Sequence, residues 1–189
     1  MEKGRIFVVS APSGSGKTTL CRRLLKDCKN LVFSTSFTTR KQRKGEKNKH
    51  DYTFISRKKF KESLKKRKFL EWAEVFGNFY GTPKDFVDKT IKNGKDVLLV
   101  IDVQGAFQVK KARPEAVLIF VLPPSLAELK RRLCQRKSDD PKQIKLRLKI
   151  ARHEMSQAKK YDHVVVNDDF EKALRRLKKI ICPNKIPRG

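Results

Sequence analysis

Residues 5–25 read RIFVVSAPSGSGKTTLCRRLL. RIFVVS is a short β-branched run closed by Ala-Pro-Ser-Gly, the pattern of a buried strand. Residues 17–28 carry Leu20, Leu24 and Leu25 at helical spacing, which predicts a helix with those side chains inward. Between strand and helix stands Ala11-Pro12-Ser13-Gly14-Ser15-Gly16-Lys17-Thr18. This is a phosphate-binding loop in every position but the first, where alanine replaces glycine. Gly14 and Gly16 let backbone N–H groups turn toward phosphate oxygens without a Cβ in the way, and the helix N-terminus adds positive potential. Lys17 is placed to reach the β- and γ-phosphates of a nucleotide, and the Thr18 hydroxyl to ligate Mg²⁺. Ala11 requires a negative φ, which suits a neighbour of Pro12.

Such a loop fixes ATP or GTP binding and not the reaction. Phosphoryl chemistry adds a carboxylate near the metal, at a strand end. Asp102, closing the run VLLVID, stands in such a place; a solvated strand-end aspartate is the competing reading.

Outward from the loop, residues 31–37 read as a strand and TTRKQRKGEKNKHD as a basic loop. YTFIS (52–56) alternates like a strand, and residues 57–68 are helical, with Phe60 and Leu64 one turn apart. EWAEVFGNFYGTP (71–83) reads as strand, turn and strand. Residues 84–93 form a short helix stopped by Gly94. DVLLVIDV (96–103) is the strongest buried strand, and VLIFVL (117–122) is another. Ser125 with Glu128 three residues later is a capping-box pattern. Asp140-Pro141 opens a long helix with Ile144, Leu148, Ala151 and Met155 on one stripe. HVVVN (163–167) is a final strand, and residues 169–181 an amphipathic helix. Solid apolar strands alternating with helices predict an α/β fold with a parallel sheet covered on both faces.

The chain has 189 residues, a single-domain length. Lys plus Arg number 47 against 20 Asp plus Glu, a net charge of 47 − 20 = +27. This charge is interleaved with apolar residues, as in RKKFKESLKKRKF (57–69), and first reads as a solvated lysine-rich surface. Gathering the phosphates of a small anion, or loose attachment to RNA or DNA, are the sharper readings. No zinc-finger, RNP or KH pattern accompanies it. No apolar run approaches the roughly 20 residues of a membrane span, and the N-terminal apolar stretch is too short for a signal peptide, so the expected compartment is the cytoplasm. Cys21, Cys28, Cys134 and Cys182 form no CxxC pair; Cys21 and Cys28 share a helix face with Leu24 and Leu25 and read as buried free thiols.

The remaining segments resemble guanylate kinase from about Arg5 to Ile181. They are SAPSGSGKTTL, STSFTTRKQRKGE, DYTF, EWAEVFGNFYGTP, VLLVIDVQGA, PPS before a Leu/Arg helix, and YDHVVVND. The EWAEVFGNFYGTP and TTR..R.GE pair is far more specific than the phosphate loop. The resemblance implies Mg²⁺-dependent transfer of the ATP γ-phosphoryl group to GMP, and to dGMP, in purine nucleotide metabolism and GMP recycling. It implies a P-loop kinase core with an inserted mixed α+β GMP-binding subdomain and a helical lid. The expected bounds are 1–34, 94–128 and 159–189 for the core, 35–93 for the GMP subdomain and 129–158 for the lid.

Carried over by motif position, the loop residues Ala11, Pro12, Ser13, Gly14, Ser15, Gly16, Lys17, Thr18 and Thr19 would hold ATP, together with Arg132, Arg136 and, near the adenosine, Asn167. Arg40, Arg43, Tyr52 and Tyr80 would meet the GMP phosphate, and Ser36, Glu71 and Thr82 the guanine. Asp102 would lie near the transferring group, on the GMP side, and its metal. Lys17, Arg40, Asp102, Arg136 and Arg147 are the expected catalytic set, with Thr18 and Asp102 at the metal. Arg147 has a competing reading as a solvated helix face, and Tyr52 and Tyr80 as core rings.

The residue types fit these roles. Arginine forks grip phosphate bidentately, as lysine cannot. A carboxylate at the base edge accepts from guanine N1–H and N2–H₂ together, whereas adenine presents an acceptor at N1. Two departures from the family pattern stand out: Lys49 where glycine is frequent, and Phe37 where histidine or serine is. The rival readings are a guanylate-kinase-like binding module without catalysis, a nucleic-acid binder, and a kinase for another nucleoside monophosphate. No specific nucleic acid and no membrane partner is expected, and the oligomeric state stays open between monomer and homo-oligomer.

Overall fold

The computed structural model describes residues 3–135 and 140–183. It divides into two compact units, one of Met1–Ile6, Leu31–Leu99 and Gln104–Ala116, the other of Phe7–Asn30, Val100–Val103 and Val117–Gly189.

In the second unit, β1 (Ile6–Ser10) is buried throughout and runs parallel to β8 (Val117–Leu122), which runs parallel to β9 (His163–Val166). The register sets Val8 beside Leu118 and Val121 beside Val165. β1 and β8 are solid apolar runs because helices leave them no wet face, whereas His163 and Val164 of β9 are exposed. Helix α1 (Lys17–Asp27) buries Leu20, Cys21 and Leu24, and α7 (Phe170–Ile181) buries Ala173, Leu174, Leu177 and Ile181. The two helices pack together, and Lys178 of α7 pairs with Asp27 at 2.5 Å. Cys28 follows α1 and Cys182 follows α7, and they are joined in a disulfide with Cα atoms 6.3 Å apart. That corrects the reading of Cys28 as a free thiol: its partner is 154 residues away, where no local spacing reveals it. Cys21 remains a buried free thiol, which burial pushes up to about 12.

Helices α5 (Leu126–Gln135) and α6 (Pro141–Ser156) make a smaller core of their own from Leu129, Leu133 and Ala151, flanked by Leu126 and Leu148. Asp140 caps α6 by accepting from the Gln143 N–H at 2.8 Å, with Pro141 in the first turn. The cap of α5 is half of the expected box. Ser125 Oγ accepts from the Glu128 N–H at 3.0 Å, but the Glu128 carboxylate is engaged by Arg131 and Arg132, which hold it down to about 2.

In the first unit, β2 (Leu31–Phe33) runs parallel to β7 (Asp96–Val100). A second, four-stranded sheet has the order β4 (Thr53–Phe54), β3 (Phe37–Thr38), β6 (Asn78–Pro83), β5 (Phe69–Val75). The expected single strand over residues 31–37 is therefore two strands in two sheets, broken at Ser34, which is buried and whose N–H goes to Leu98 O. The β5–β6 hairpin turns through Phe76 and Gly77, both with positive φ. Helix α2 (Arg57–Lys65) seats Phe60 between Phe69 and Phe79, stacked at 4.6 and 5.4 Å. Phe37 joins this cluster edge-on to Phe69 at 5.7 Å, so the departure at this position is a packing residue. Helix α3 (Lys84–Lys92) precedes Gly94, whose φ is 73°.

The run read as one strand over 96–103 ends at Val100. Helix α4 (Val103–Ala112) begins three residues later, where the sequence shows no helix start.

Candidate functional site

In the second unit, the turn after β1 is held by its own groups. Ser15 N–H and Oγ both donate to Pro12 O, at 3.2 and 2.8 Å. Gly14 and Gly16 have φ of 96° and 88°, the left-handed conformation that L side chains resist, while Ala11 avoids it. Gly16 is also required by space: a Cβ there would lie 2.4 Å from Asn167 Nδ2. That amide donates to Ser15 O at 2.7 Å. Asn167, expected near the adenosine, is buried against the loop and braces it.

Lys17, the first residue of α1, donates from Nζ to Ile101 O at 3.4 Å. Burial lowers its pKa against the pull of the Glu154 and Asp102 carboxylates. Thr18 is exposed beside it. Asp102 follows β7, and its carbonyl accepts from Ser10 Oγ at 3.3 Å. Arg147 of α6 reaches the loop, donating from Nη1 to Ser13 Oγ at 3.2 Å, so it is more than a solvated helix face. Arg132 of α5 donates to Glu128 at 2.8 Å and to Asn167 O at 3.3 Å. Arg136 lies outside the described residues. Glu154 was absent from the sequence reading. It lies seven residues beyond Arg147, hence on the same face of α6, and burial raises its carboxyl to about 7 although Lys17 pulls the other way. That spacing was the signal that could have found it.

In the first unit, β5 and β6 set Glu71 opposite Thr82. Both are buried, and Thr82 Oγ1 donates to Glu71 Oε1 at 2.5 Å. Tyr80 precedes Thr82 by two residues, and so lies on the same face of β6. The Tyr80 and Tyr52 rings meet edge-on at 5.9 Å. Burial, then Tyr80, raises the Tyr52 hydroxyl. The Arg40 guanidinium stands 5.3 Å from the centre of the Tyr52 ring and 5.7 Å from that of Phe54. It also pairs with Glu46 through both carboxylate oxygens. Burial works to lower the Arg40 pKa, but Glu46 and Tyr80 raise it on balance. Arg43 donates its N–H to Glu46 at 2.8 Å. Ser36 is buried just before β3, its carbonyl accepting from Thr53 N–H. This unit thus gathers a guanidinium–phenol cluster and a buried carboxylate beside one four-stranded sheet.

A parallel sheet under helices, with a strand delivering a phosphate loop to a helix N-terminus, defines the P-loop kinases. Within that class the Guanylate kinase family model matches residues 3–184. A guanylate kinase of Hahella chejuensis is 49% identical over 186 residues, covering 98% of this chain and 89% of that protein. One from Halalkalibacterium halodurans is 47% identical, covering 95% and 88%. The crystal structure of guanylate kinase from Anaplasma phagocytophilum superposes with a TM-score of 0.81 at 38% identity, over 100% of this chain and 89% of that one. The chain belongs to the guanylate kinase family, whose reaction is the ATP-dependent phosphorylation of GMP.

Proposed function

We infer that this chain transfers the γ-phosphoryl group of ATP to GMP and dGMP, with Mg²⁺, and so serves purine nucleotide metabolism and GMP recycling in the cytoplasm. The observation that carries this reading is the buried Glu71 carboxylate with Thr82 across the hairpin. A buried carboxylate calls for well-matched donors; Thr82 supplies one, and guanine offers two on one edge.

The donor set fits magnesium. Thr18, exposed at the start of α1, and Asp102 would supply hard oxygen ligands. Mg²⁺ keeps several waters and substrate phosphate oxygens beside one or two protein ligands. When bound, it neutralises charge on the β- and γ-phosphates.

The loop from Ala11 to Thr19 holds the ATP phosphates through its backbone N–H groups, and Lys17 adds charge where it develops in the transition state. Arg132, Arg136 and Arg147 contribute from 129–158, acting as a lid, and Asn167 keeps the loop in shape. Arg40, Arg43, Tyr52 and Tyr80 position the acceptor phosphate, Ser36, Glu71 and Thr82 the base. Residues 35–93 act as the acceptor subdomain, and 1–34, 94–128 and 159–189 as the core. Little covalent chemistry is asked of the protein, since positioning and electrostatics dominate phosphoryl transfer.

ADP release, measured with ATP and a panel of GMP, dGMP, AMP, CMP and UMP, with Mg²⁺ and with EDTA, tests this reading. Turnover confined to GMP and dGMP and abolished by EDTA is expected. Equal turnover of AMP, or none of GMP, overturns it.

A further inference from the structure

The first unit carries a concavity of about 330 Å³ beside the outer strand β5. Leu64, Leu70 and the Trp72 ring give it an apolar wall, and Arg67, Lys84 and Arg113 give it cations. Among the described residues, no carboxylate lines it. Arg113 is held by Asp88 at 2.8 Å. The Arg67 guanidinium and the Lys84 ammonium have no hydrogen bond or ion pair among the described residues. Trp72, the only tryptophan in the chain, is 41% exposed. Its backbone is held by Gln108 of α4, which accepts from the main-chain N–H at 3.2 Å and donates to the carbonyl at 2.8 Å, and its ring meets Phe79 edge-on at 6.1 Å. Next to this concavity in the chain, Arg57, Lys58, Lys59, Lys61, Lys65, Lys66 and Lys68 are all exposed, with Glu62 the sole acid among them.

Neither nucleotide site uses any of these groups. A presented indole over an apolar floor, ringed by cations, is the pairing that holds a nucleobase by its face and its phosphates by charge. The volume is at the low end of ligand sites, suited to one base and not to a folded partner. The basic stretch continues beyond it, as a polymer's further phosphates require. We propose that this face binds single-stranded nucleic acid without sequence preference, one base stacking on Trp72 and the flanking phosphates lying on Arg67, Lys84 and the exposed lysines of 57–68. The surplus of positive charge, +27 over the chain, then has a use that two mononucleotide sites do not supply. A duplex fits less well, since its base faces are covered by their neighbours.

The test is to titrate the full chain with a labelled oligouridylate of about 12 nucleotides, within the size range such sites cover, following anisotropy and tryptophan emission together. Emission from the single tryptophan should fall as the complex forms. Affinity should drop steeply with salt, as counterion release dictates, and should survive saturating GMP and ADP. R67E/K84E and W72L should each weaken binding by about 10-fold or more, W72F should restore most of the W72L loss, and all three should phosphorylate GMP at the wild-type rate. Binding that leaves Trp72 emission unchanged, or that W72L does not weaken, overturns the assignment. So does displacement of the oligonucleotide by GMP or ATP, or equal affinity for a duplex of the same length.

Discussion

Glu46 holds the Arg40 guanidinium by both oxygens, at 2.7 and 3.1 Å, with the Tyr52 ring beneath it. The pair fixes a planar fork in one orientation before any phosphate arrives. Arg40→Lys keeps the charge but loses the fork and the stacking. A hydrogen bond to a charged group contributes roughly 1.5–3 kcal/mol, so kcat/KM for GMP should fall about 10- to 100-fold. Steady-state kinetics with GMP varied at fixed ATP will show it; a value equal to wild type would shift the phosphate to Arg43.

Glu71→Gln should reduce kcat/KM for GMP by roughly 10- to 10³-fold, the range left by a lost charged hydrogen bond and an unmatched buried donor. The glutamine oxygen can still accept from Thr82, which turns its NH₂ toward the N–H edge of the base. The AMP value should fall much less. The GMP-to-AMP ratio in both proteins is the measurement, and an unchanged ratio assigns guanine recognition to Ser36 and Thr82.

Lys17→Met should cut phosphoryl transfer by roughly 10²–10³. Lys17 Nζ turns inward to Ile101 O, where burial disfavours its charge. The melting temperature of the variant should therefore equal or exceed that of wild type. Normal turnover with a normal melting curve would remove the loop from the ATP site.

Glu154 gives a pH dependence whose sign is fixed by burial. Its carboxyl is raised from 4.5 to about 7, so its stabilising contribution is complete below pH 4.5 and lost as pH rises through 7. Glu154→Gln cannot ionise. Its melting temperature relative to wild type should climb between pH 5 and pH 8. A difference that stays flat across that range would mean the carboxylate is solvated.

What the chain declares locally, it declares well. The loop glycines, the Asp140-Pro141 helix start and the EWAEVFGNFYGTP hairpin all have short-range causes, and all are where the sequence places them. The family glycine at Lys49 has a visible reason too, because Lys49 adopts φ 64°. Helix α4 escaped notice because Val97 to Val103 is apolar almost without interruption and carries no Gly or Pro where the strand stops. Val103, Ala106 and Val109 do show the helical period, and all three are buried. The Cys28–Cys182 link and the grip of Glu46 on Arg40 depend on where the chain returns, and neither composition nor spacing encodes that directly. The site proposed for the arginines, tyrosines and Glu71 rests on motif position, while Glu154 carries no motif at all.

The clamp of Gln108 on Trp72 has a consequence for how the protein behaves in a crowd. β5 is the outermost strand of its sheet, and its alternating pattern would suit pairing with a strand from another molecule. Such open edges are templates for intermolecular stacking of sheets. At Trp72 the amide of a single helical side chain takes up both the N–H and the carbonyl that an incoming strand would need. One glutamine thereby stands in for a missing neighbour strand at the middle of that edge, where an incoming strand would have to displace it.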